Sequence, residues 1–434
     1  MPEKEILVNK LILPKKYKTY SLTKGPVKPS KFLQILIQVV CYFALLRQPR
    51  TVSYDPKFKD LKKTPYLILC SHAQFLDFFV QYATIGLRPV SSVVSLDAFS
   101  LVPLFLIEQG GAIPKRKFYS EIISVLQMRK AIKQGSIVAF YPEARYSKYG
   151  EQAKLPPSLA KLIKSLGVPV VTLMNHGHYQ VNPCWGNQKK RKVPVHSDVN
   201  VTFSKEEIEL LSVDEINERL TKVFTYNEYQ YLKDNNYLIK EKYRAAGIHR
   251  ILYKCPHCLT EMQMKSQDSF ISCTACDIVY EMLETGDLKC QNGTTIFTTV
   301  HDWVKFEREN VLKEINNGTY HVTMDVKRTF AFPHPKSLIP IGNSHFVHDL
   351  TGITITGNYN NYDYMWHKDP YETMSVQIEY NWLNIKGSDI IAIHTLENGI
   401  YLWPENPSVL FKIYLATEIL YEKAMNEKNS PRNQ

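Results

Sequence analysis

Between residues 64 and 175 short apolar runs alternate with longer amphipathic stretches, and this alternation constrains the fold more than any other feature of the chain. Tyr66-Leu67-Ile68-Leu69-Cys70, Val90 to Ser95, Ile137-Val138-Ala139-Phe140-Tyr141 and Val168 to Met174 are each too short for a helix and read as buried strands. Between them, Ser120 to Gln134 reads as a helix with Ser120 as its N-cap and Gly135 just past its end, and Leu159 to Leu166 reads as another. Strands and helices joined by short links predict an α/β domain, a mixed sheet covered by helices.

The chain has 434 residues, enough for two or three domains with a sizeable core. Apolar residues make up 44% and charged residues 22%, which excludes a disordered or fibrous chain. The formal net charge of +11 suits an anionic partner such as phospholipid headgroups, nucleic acid or a phosphorylated substrate. Eight cysteines in so long a chain do not make a disulfide scaffold. Cys41, Cys70, Cys184 and Cys290 are scattered and read as buried thiols in a reducing compartment.

The longest apolar stretch, Phe32 to Leu46, has about fifteen residues. Spanning a bilayer takes roughly 20. On a helix Gln34 and Gln38 share one face. Lys15, Lys16, Lys18, Lys24, Lys28 and Lys31 precede the stretch, and Arg47 and Arg50 follow it. The pattern fits a helix lying in the membrane interface, on the cytoplasmic side of a peripheral or monotopic protein. The bland reading is a helix buried in a soluble core.

Beyond the α/β region, Ser212-Val213-Asp214-Glu215 matches a capping box that starts a helix through Leu220. Past Cys290, Trp303 to Ile315 reads as a helix. Gly352 to Gly357, Ser375 to Tyr380 and Ile390 to His394 follow as β-rich runs, and Val409 to Lys423 as a closing amphipathic helix. The expected division is a basic segment with an interfacial helix (1–50), an α/β domain (51–245), a cysteine ribbon (246–290) and a β-rich α+β domain (291–434).

Chemistry concentrates where the first strand runs into Ser71-His72-Ala73-Gln74-Phe75-Leu76-Asp77. Five positions are about 140° apart around a helix. His72 and Asp77 can therefore meet only if His72 sits in the turn and Asp77 in the first helical turn, where a carboxylate is favoured. A carboxylate that fixes a histidine tautomer is the logic of general-base catalysis. Three further segments end near strands: Gly110-Gly111-Ala112-Ile113-Pro114-Lys115-Arg116-Lys117, Phe140-Tyr141-Pro142-Glu143-Ala144-Arg145-Tyr146-Ser147, and Gly167-Val168-Pro169-Val170-Val171. A base, a cationic pocket and a carboxylate could converge there.

In this order the four segments resemble the glycerolipid acyltransferase family typified by lysophosphatidate acyltransferases, over roughly residues 30 to 240. His72 and Asp77 match the family's H-x-x-x-x-D, with Ser71 in place of Asn. Gly111, Ile113 and Arg116 or Lys117 approximate its second block. Tyr141, Pro142, Glu143 and Ser147 match the third, and Val168, Pro169 and Val170 the fourth. Ala144 stands where the family has glycine, and Arg145 lies one place before the family arginine, whose position holds Tyr146. The resemblance implies transfer of an acyl chain from a thioester on coenzyme A or acyl carrier protein to a hydroxyl of a lysophospholipid or related glycerolipid, with a 1-acylglycerol-3-phosphate as the type. His72 would be the base and Asp77 its orienter. Gly111, Arg116, Lys117 and Arg145 would hold the acceptor's anionic group, and Glu143 its glycerol hydroxyls or the cations. The alternative is a non-catalytic lipid-binding or regulatory module on the same fold.

Cys255-Pro256-His257-Cys258 and Cys273-Thr274-Ala275-Cys276 are C-x-x-C pairs fourteen residues apart. Two such knuckles supply four thiolates in a tetrahedron, the arrangement of structural zinc, with His257 a neighbour and no position left for substrate. Glu261, Asp268, Asp277, Glu281 and Glu284 make this ribbon acidic, which argues against nucleic acid. Lys189-Lys190-Arg191-Lys192 reads as a solvated loop or a contact for anionic lipid.

Overall fold

The computed structural model describes residues 25–46, 48–96, 104–118, 122–186, 189–331, 338–382, 385–395 and 399–428. Three sheets follow one another along the chain. The first has seven strands, β1 (Arg50–Tyr54), β2 (Leu67–Cys70), β3 (Val90–Ser95), β4 (Ile113–Lys115), β5 (Ile137–Phe140), β6 (Val170–His176) and β7 (Val195–Phe203), in the order β1-β7-β6-β2-β5-β3-β4. From β6 to β4 all neighbours are parallel, whereas β7 runs antiparallel to β6 and carries β1 beside it. The sheet is mixed, as its sequence predicts.

The inner strands are apolar throughout because both faces of the sheet are covered. Leu67, Leu69, Val138 and Phe140 pack on one side with Ile163, Ile216 and Leu220 of the helices Leu159–Leu166 and Val213–Phe224. Ile68, Cys70, Ile137 and Ala139 pack on the other with Cys41, Leu45 and Val80 of the helices Lys31–Leu45 and Leu76–Ile85. Each buried aliphatic side chain is worth about 1.5–3 kcal/mol. A one-residue slip of β2 would exchange its two apolar sets between layers.

The second sheet is a four-stranded antiparallel ribbon, β8 (Met264–Gln267), β9 (Phe270–Cys273), β10 (Val279–Met282) and β11 (Leu288–Cys290). The helix Val300–Asn316 follows, with Thr299 as N-cap. The third sheet, all antiparallel, contains β12 (His321–Ala331), β13 (Leu338–Asp349), β14 (Gly352–Tyr359), β15 (Tyr362–Lys368), β16 (Gln377–Glu379), β17 (Ile390–His394) and β18 (Gly399–Pro404). The helix Leu410–Lys428 closes the described chain. One buried cluster runs from Ala73, Tyr179 and Trp185 through Tyr280 and Trp303 to Phe346 and Phe411, so the ribbon and the third sheet share a core with the edge of the first.

Several boundaries shift for local reasons. The strand expected from Val168 begins at Val170, because Gly167 caps the preceding helix at φ 60° and Pro169 intervenes. The helix expected from Ser120 is seen from Ile122 to Lys133, and Ser120 lies outside the described residues. Ser375–Tyr380 pairs only over Gln377–Glu379. The capping box at Ser212 and Glu215 forms, and its helix continues past Leu220 to Phe224. Among the described residues no helix is long and apolar enough to cross a membrane.

The expected interfacial helix is Lys31–Leu45, and Gln34 and Gln38 do share a face. That face turns inward. Gln34 is buried, the Gln38 amide donates to the carbonyls of Tyr82 and Gly86 at 2.6 and 2.8 Å, and Cys41 and Leu45 complete the stripe. The apolar residues Phe32, Ile35, Leu36, Val40 and Phe43 are left facing outward, Phe32 at 78% exposure and Phe43 at 65%.

Candidate active site and metal centre

Because β6, β2, β5, β3 and β4 are parallel, the loops leaving their carboxyl ends gather along one edge of the sheet. His72 follows β2, Arg116 follows β4, Glu143 follows β5 and His178 follows β6.

His72 lies in the turn before the helix Leu76–Ile85, and Asp77 lies in that helix's first turn. His72 Nδ1 is 3.2 Å from Asp77 Oδ2, the geometry that the spacing requires. The same oxygen accepts the backbone N–H groups of Ala73 (2.6 Å) and Gln74 (2.9 Å). Burial pushes the Asp77 carboxyl up, but hydrogen bonds from His178 and His72 outweigh it and hold the group well below the usual carboxylate range. With Nδ1 on the carboxylate, Nε2 is the nitrogen of His72 that can take a proton. The ring retains 19% exposure and packs between Tyr141 and Tyr146, whose ring centroids lie 4.2 and 4.4 Å away. Tyr146 thus packs on the His72 ring.

Glu143 departs from the acceptor-binding role expected of it. It is buried, and its carboxylate accepts the His72 N–H (3.2 Å), the Ala153 N–H (2.7 Å) and the Tyr226 hydroxyl (3.3 Å). It ties the loop after β5 to the loop that carries His72. Burial pushes its carboxyl up to about 7, against these hydrogen bonds. Ser147 N–H donates to the His72 carbonyl at 2.9 Å and adds a second tie.

The expected cationic pocket is also rearranged. Arg145 is buried and its Nη2 pairs with Glu418 at 2.5 Å, with Tyr414 beneath the guanidinium at 4.9 Å. Arg308 binds the same Glu418 at 3.1 Å. Lys117 Nζ donates to Gln377 of β16. Arg145 and Lys117 are therefore engaged by the C-terminal region. Arg116 is half-buried directly after β4. Gly111 (φ 68°) serves packing: a Cβ there would lie 2.6 Å from the Val27 carbonyl, so the stretch before the first helix can close over it only with glycine. In the basic loop, Lys189, Lys190 and Lys192 are exposed, but Arg191 is buried over Trp185.

The sequence reading missed His178. Its Nδ1 is 2.6 Å from Asp77 Oδ1, and both side chains are fully buried. The available signal was Asn175-His176-Gly177-His178 at the end of an apolar strand, a histidine behind a glycine turn. Nothing in one sequence says which strand end lies beside β2; pairing of β6 with β2 decides it.

The four ribbon cysteines converge, their sulfurs all within 4.8 Å of one another. Cys255 and Cys276 Sγ atoms are 3.7 Å apart, as are those of Cys258 and Cys273. A zinc ion bound at about 2.3 Å by four thiolates sets sulfurs about 3.8 Å apart, so the cradle fits the ion. Both knuckles turn through a left-handed residue, Leu259 (φ 63°) and Asp277 (φ 56°), whose N–H groups donate to the carbonyls of Cys255 and Cys273. His257 Nε2 lies 3.0 Å from the Tyr280 hydroxyl, which leaves it outside the sulfur set.

Residues 50–175 match the family model described as Acyltransferase. Among solved structures, the 1-acyl-sn-glycerophosphate (LPA) acyltransferase PlsC from Thermotoga maritima is similar at 14% identity and a TM-score of 0.38, over 47% of this chain and 80% of that one. No curated protein matches.

Proposed function

We propose that this chain, whose residues 50–175 match the Acyltransferase family model, moves a fatty acyl chain from a thioester to a hydroxyl of a lipid acceptor at a membrane surface. The observation that carries the reading is His72, fixed through Nδ1 on buried Asp77 with one ring edge accessible. Nε2 takes the proton of the acceptor hydroxyl as its oxygen attacks the thioester carbonyl. The sulfur leaves as thiolate and recovers the proton. General-base catalysis of this kind contributes about 10²–10⁴-fold.

The donor would be acyl-coenzyme A or an acyl carrier protein, and the acceptor a lysophospholipid or related glycerolipid of the 1-acylglycerol-3-phosphate type. The loop after β4, which carries Arg116, is where we place an anionic headgroup. The outward apolar face of the helix Lys31–Leu45 would rest in the headgroup region on the cytoplasmic side, and Phe75, just past the His72 loop, adds a second apolar contact at 65% exposure. Cys255, Cys258, Cys273 and Cys276 would hold one structural zinc. A non-catalytic lipid-binding module draws support only from the internal pairing of Arg145 and Lys117.

The deciding experiment is His72→Ala in the full chain, assayed with acyl-coenzyme A or acyl carrier protein and lysophospholipid in vesicles. Turnover should drop by about 10²-fold or more with folding preserved. Parent-like turnover in the variant would overturn the general-base reading.

A further inference from the structure

We propose that His178 is a second positioning residue of the site, one that holds Asp77 by the oxygen His72 does not use. The inference rests on the general-base reading above, and it starts from the way donors are shared over the carboxylate. Oδ2 receives three, the Ala73 and Gln74 N–H groups and His72 Nδ1. Oδ1 receives His178 Nδ1 at 2.6 Å. A carboxylate accepts only, so in that contact His178 must carry its proton on Nδ1. Asp77 is fully buried, and a buried charged oxygen left without a donor carries its full desolvation penalty. Without His178 the carboxylate would turn to share its donors, or take a proton, and either change spoils the 3.2 Å contact that fixes the tautomer of His72.

The placement of His178 is built. Gly177, at φ 80°, turns the chain inward at the end of β6, and a Cβ there would lie 2.6 Å from the Pro194 carbonyl. The Gln74 side-chain amide donates to the His178 carbonyl at 2.8 Å, so the loop after β2 and the loop after β6 are tied at backbone level as well. Of the influences that keep Asp77 ionised against burial, the His178 hydrogen bond is the largest. His72, Asp77 and His178 thus form a chain with the base at the accessible end and a fully buried imidazole at the other.

Two isosteric variants separate this role from mere filling. In His178→Asn the amide nitrogen can reach the place of Nδ1. In His178→Gln it reaches the place of Nε2, away from Asp77. The full-length protein labelled with ¹⁵N-histidine should show two far-low-field imidazole N–H protons, one lost in His72→Ala and the other in either His178 variant. The His72 proton should persist in His178→Asn and vanish or broaden in His178→Gln. Turnover should follow, with kcat down about 10- to 100-fold at unchanged KM for Gln, the range typical of outer-shell partners, and largely restored for Asn. A parent spectrum without the second low-field proton overturns the proposal whether or not the variants fold. So do equal kcat values and equal His72 signals in the two variants. If both protons are present but the parent transfers no acyl group, the acyltransferase reading fails and the His178 contact stands.

Discussion

Asp77 and Glu143 are both buried carboxyls beside the same histidine, and their surroundings push them in opposite directions. Burial opposes charge in each. At Asp77 the hydrogen bonds of two imidazoles outweigh it; at Glu143 burial wins and the carboxyl rises to about 7. Glu228, buried against the backbone N–H groups of Gly177, Tyr179 and Gln180, is pushed by burial up to about 8. A raised carboxyl contributes stability that is complete below its unfolded value, about 4.3, and is lost as pH rises through its folded value. Asp77 acts in the opposite sense, its contribution fading as pH falls below about 4. Below about pH 6.5, His249, His301 and His348, pushed by burial down to about 4, also act against the loss with rising pH, so thermal melts should show stability falling from about pH 6.5 to 8.5. Glu228→Gln should flatten that slope, whose limit is about 1.4 kcal/mol per pH unit for each group. A variant with the parent's slope would refute the assignment to Glu228. Ala144 closes the turn after β5 at φ 56°, its N–H donating to the Tyr141 carbonyl. A left-handed alanine costs about 1–2 kcal/mol, whereas glycine costs about 0.4–1 kcal/mol through the unfolded chain. The two nearly offset, so Ala144→Gly should move stability by no more than about 1 kcal/mol. Ala144→Val, β-branched at positive φ, should lower it by more than about 1 kcal/mol in denaturant titrations.

At the scale of elements, the helix Lys31–Leu45 inverts the usual arrangement. Its polar glutamines face the protein and much of its apolar surface faces out, at a cost that a soluble surface does not ordinarily carry. Replacing Leu36, Val40 and Phe43 by Asp should release the protein from anionic vesicles in a sedimentation assay. It should also cut activity on bilayer acceptor more than on detergent-dispersed acceptor. All three are exposed, so folding should survive, and a triple variant that still pelleted like the parent would place the membrane contact elsewhere. The ribbon depends on its sulfurs in the opposite way. With Ile271, Tyr280 and Met282 already in the shared core, loss of metal should loosen the knuckles. Elemental analysis should find about one zinc per chain. Cys273→Ser should abolish it and expose Cys255 to thiol reagents, and metal-free parent protein that kept its thiols protected would contradict the assignment.

For the molecule as a whole, the contact that matters most joins the loop after β5 to the last helix. Glu418 accepts Arg145 and Arg308, and Arg308 also reaches Glu422 at 3.1 Å. Lys148 Nζ, on the same loop, donates to the Ile378 carbonyl of β16 at 2.7 Å. Removing one partner of a buried pair leaves the other charge uncompensated, typically at about 3–5 kcal/mol. Glu418 retains 13% exposure, so Glu418→Ala should cost somewhat less, about 2–4 kcal/mol, in urea unfolding. Because Ser147 and Glu143 of that loop hold the His72 backbone, activity should fall with it, and an unchanged unfolding midpoint would show the link to be idle. The sequence by itself determined the strand–helix alternation of 66–174, the capping box at Ser212, the His72–Asp77 pair and the cysteine tetrad. Each is set by local periodicity or by ligands close along the chain, and such patterns survive without knowledge of what lies across the fold. Only the tertiary structure decided that Glu143 clamps the loop of His72, that Arg145 and Lys117 turn to partners more than 250 residues away, that the glutamines of the first helix face inward, and that His178 shares Asp77. Those outcomes depend on which strand lies beside which and on what covers the sheet edge, and a charge or an amide finds its partner through that packing, not through its neighbours in sequence.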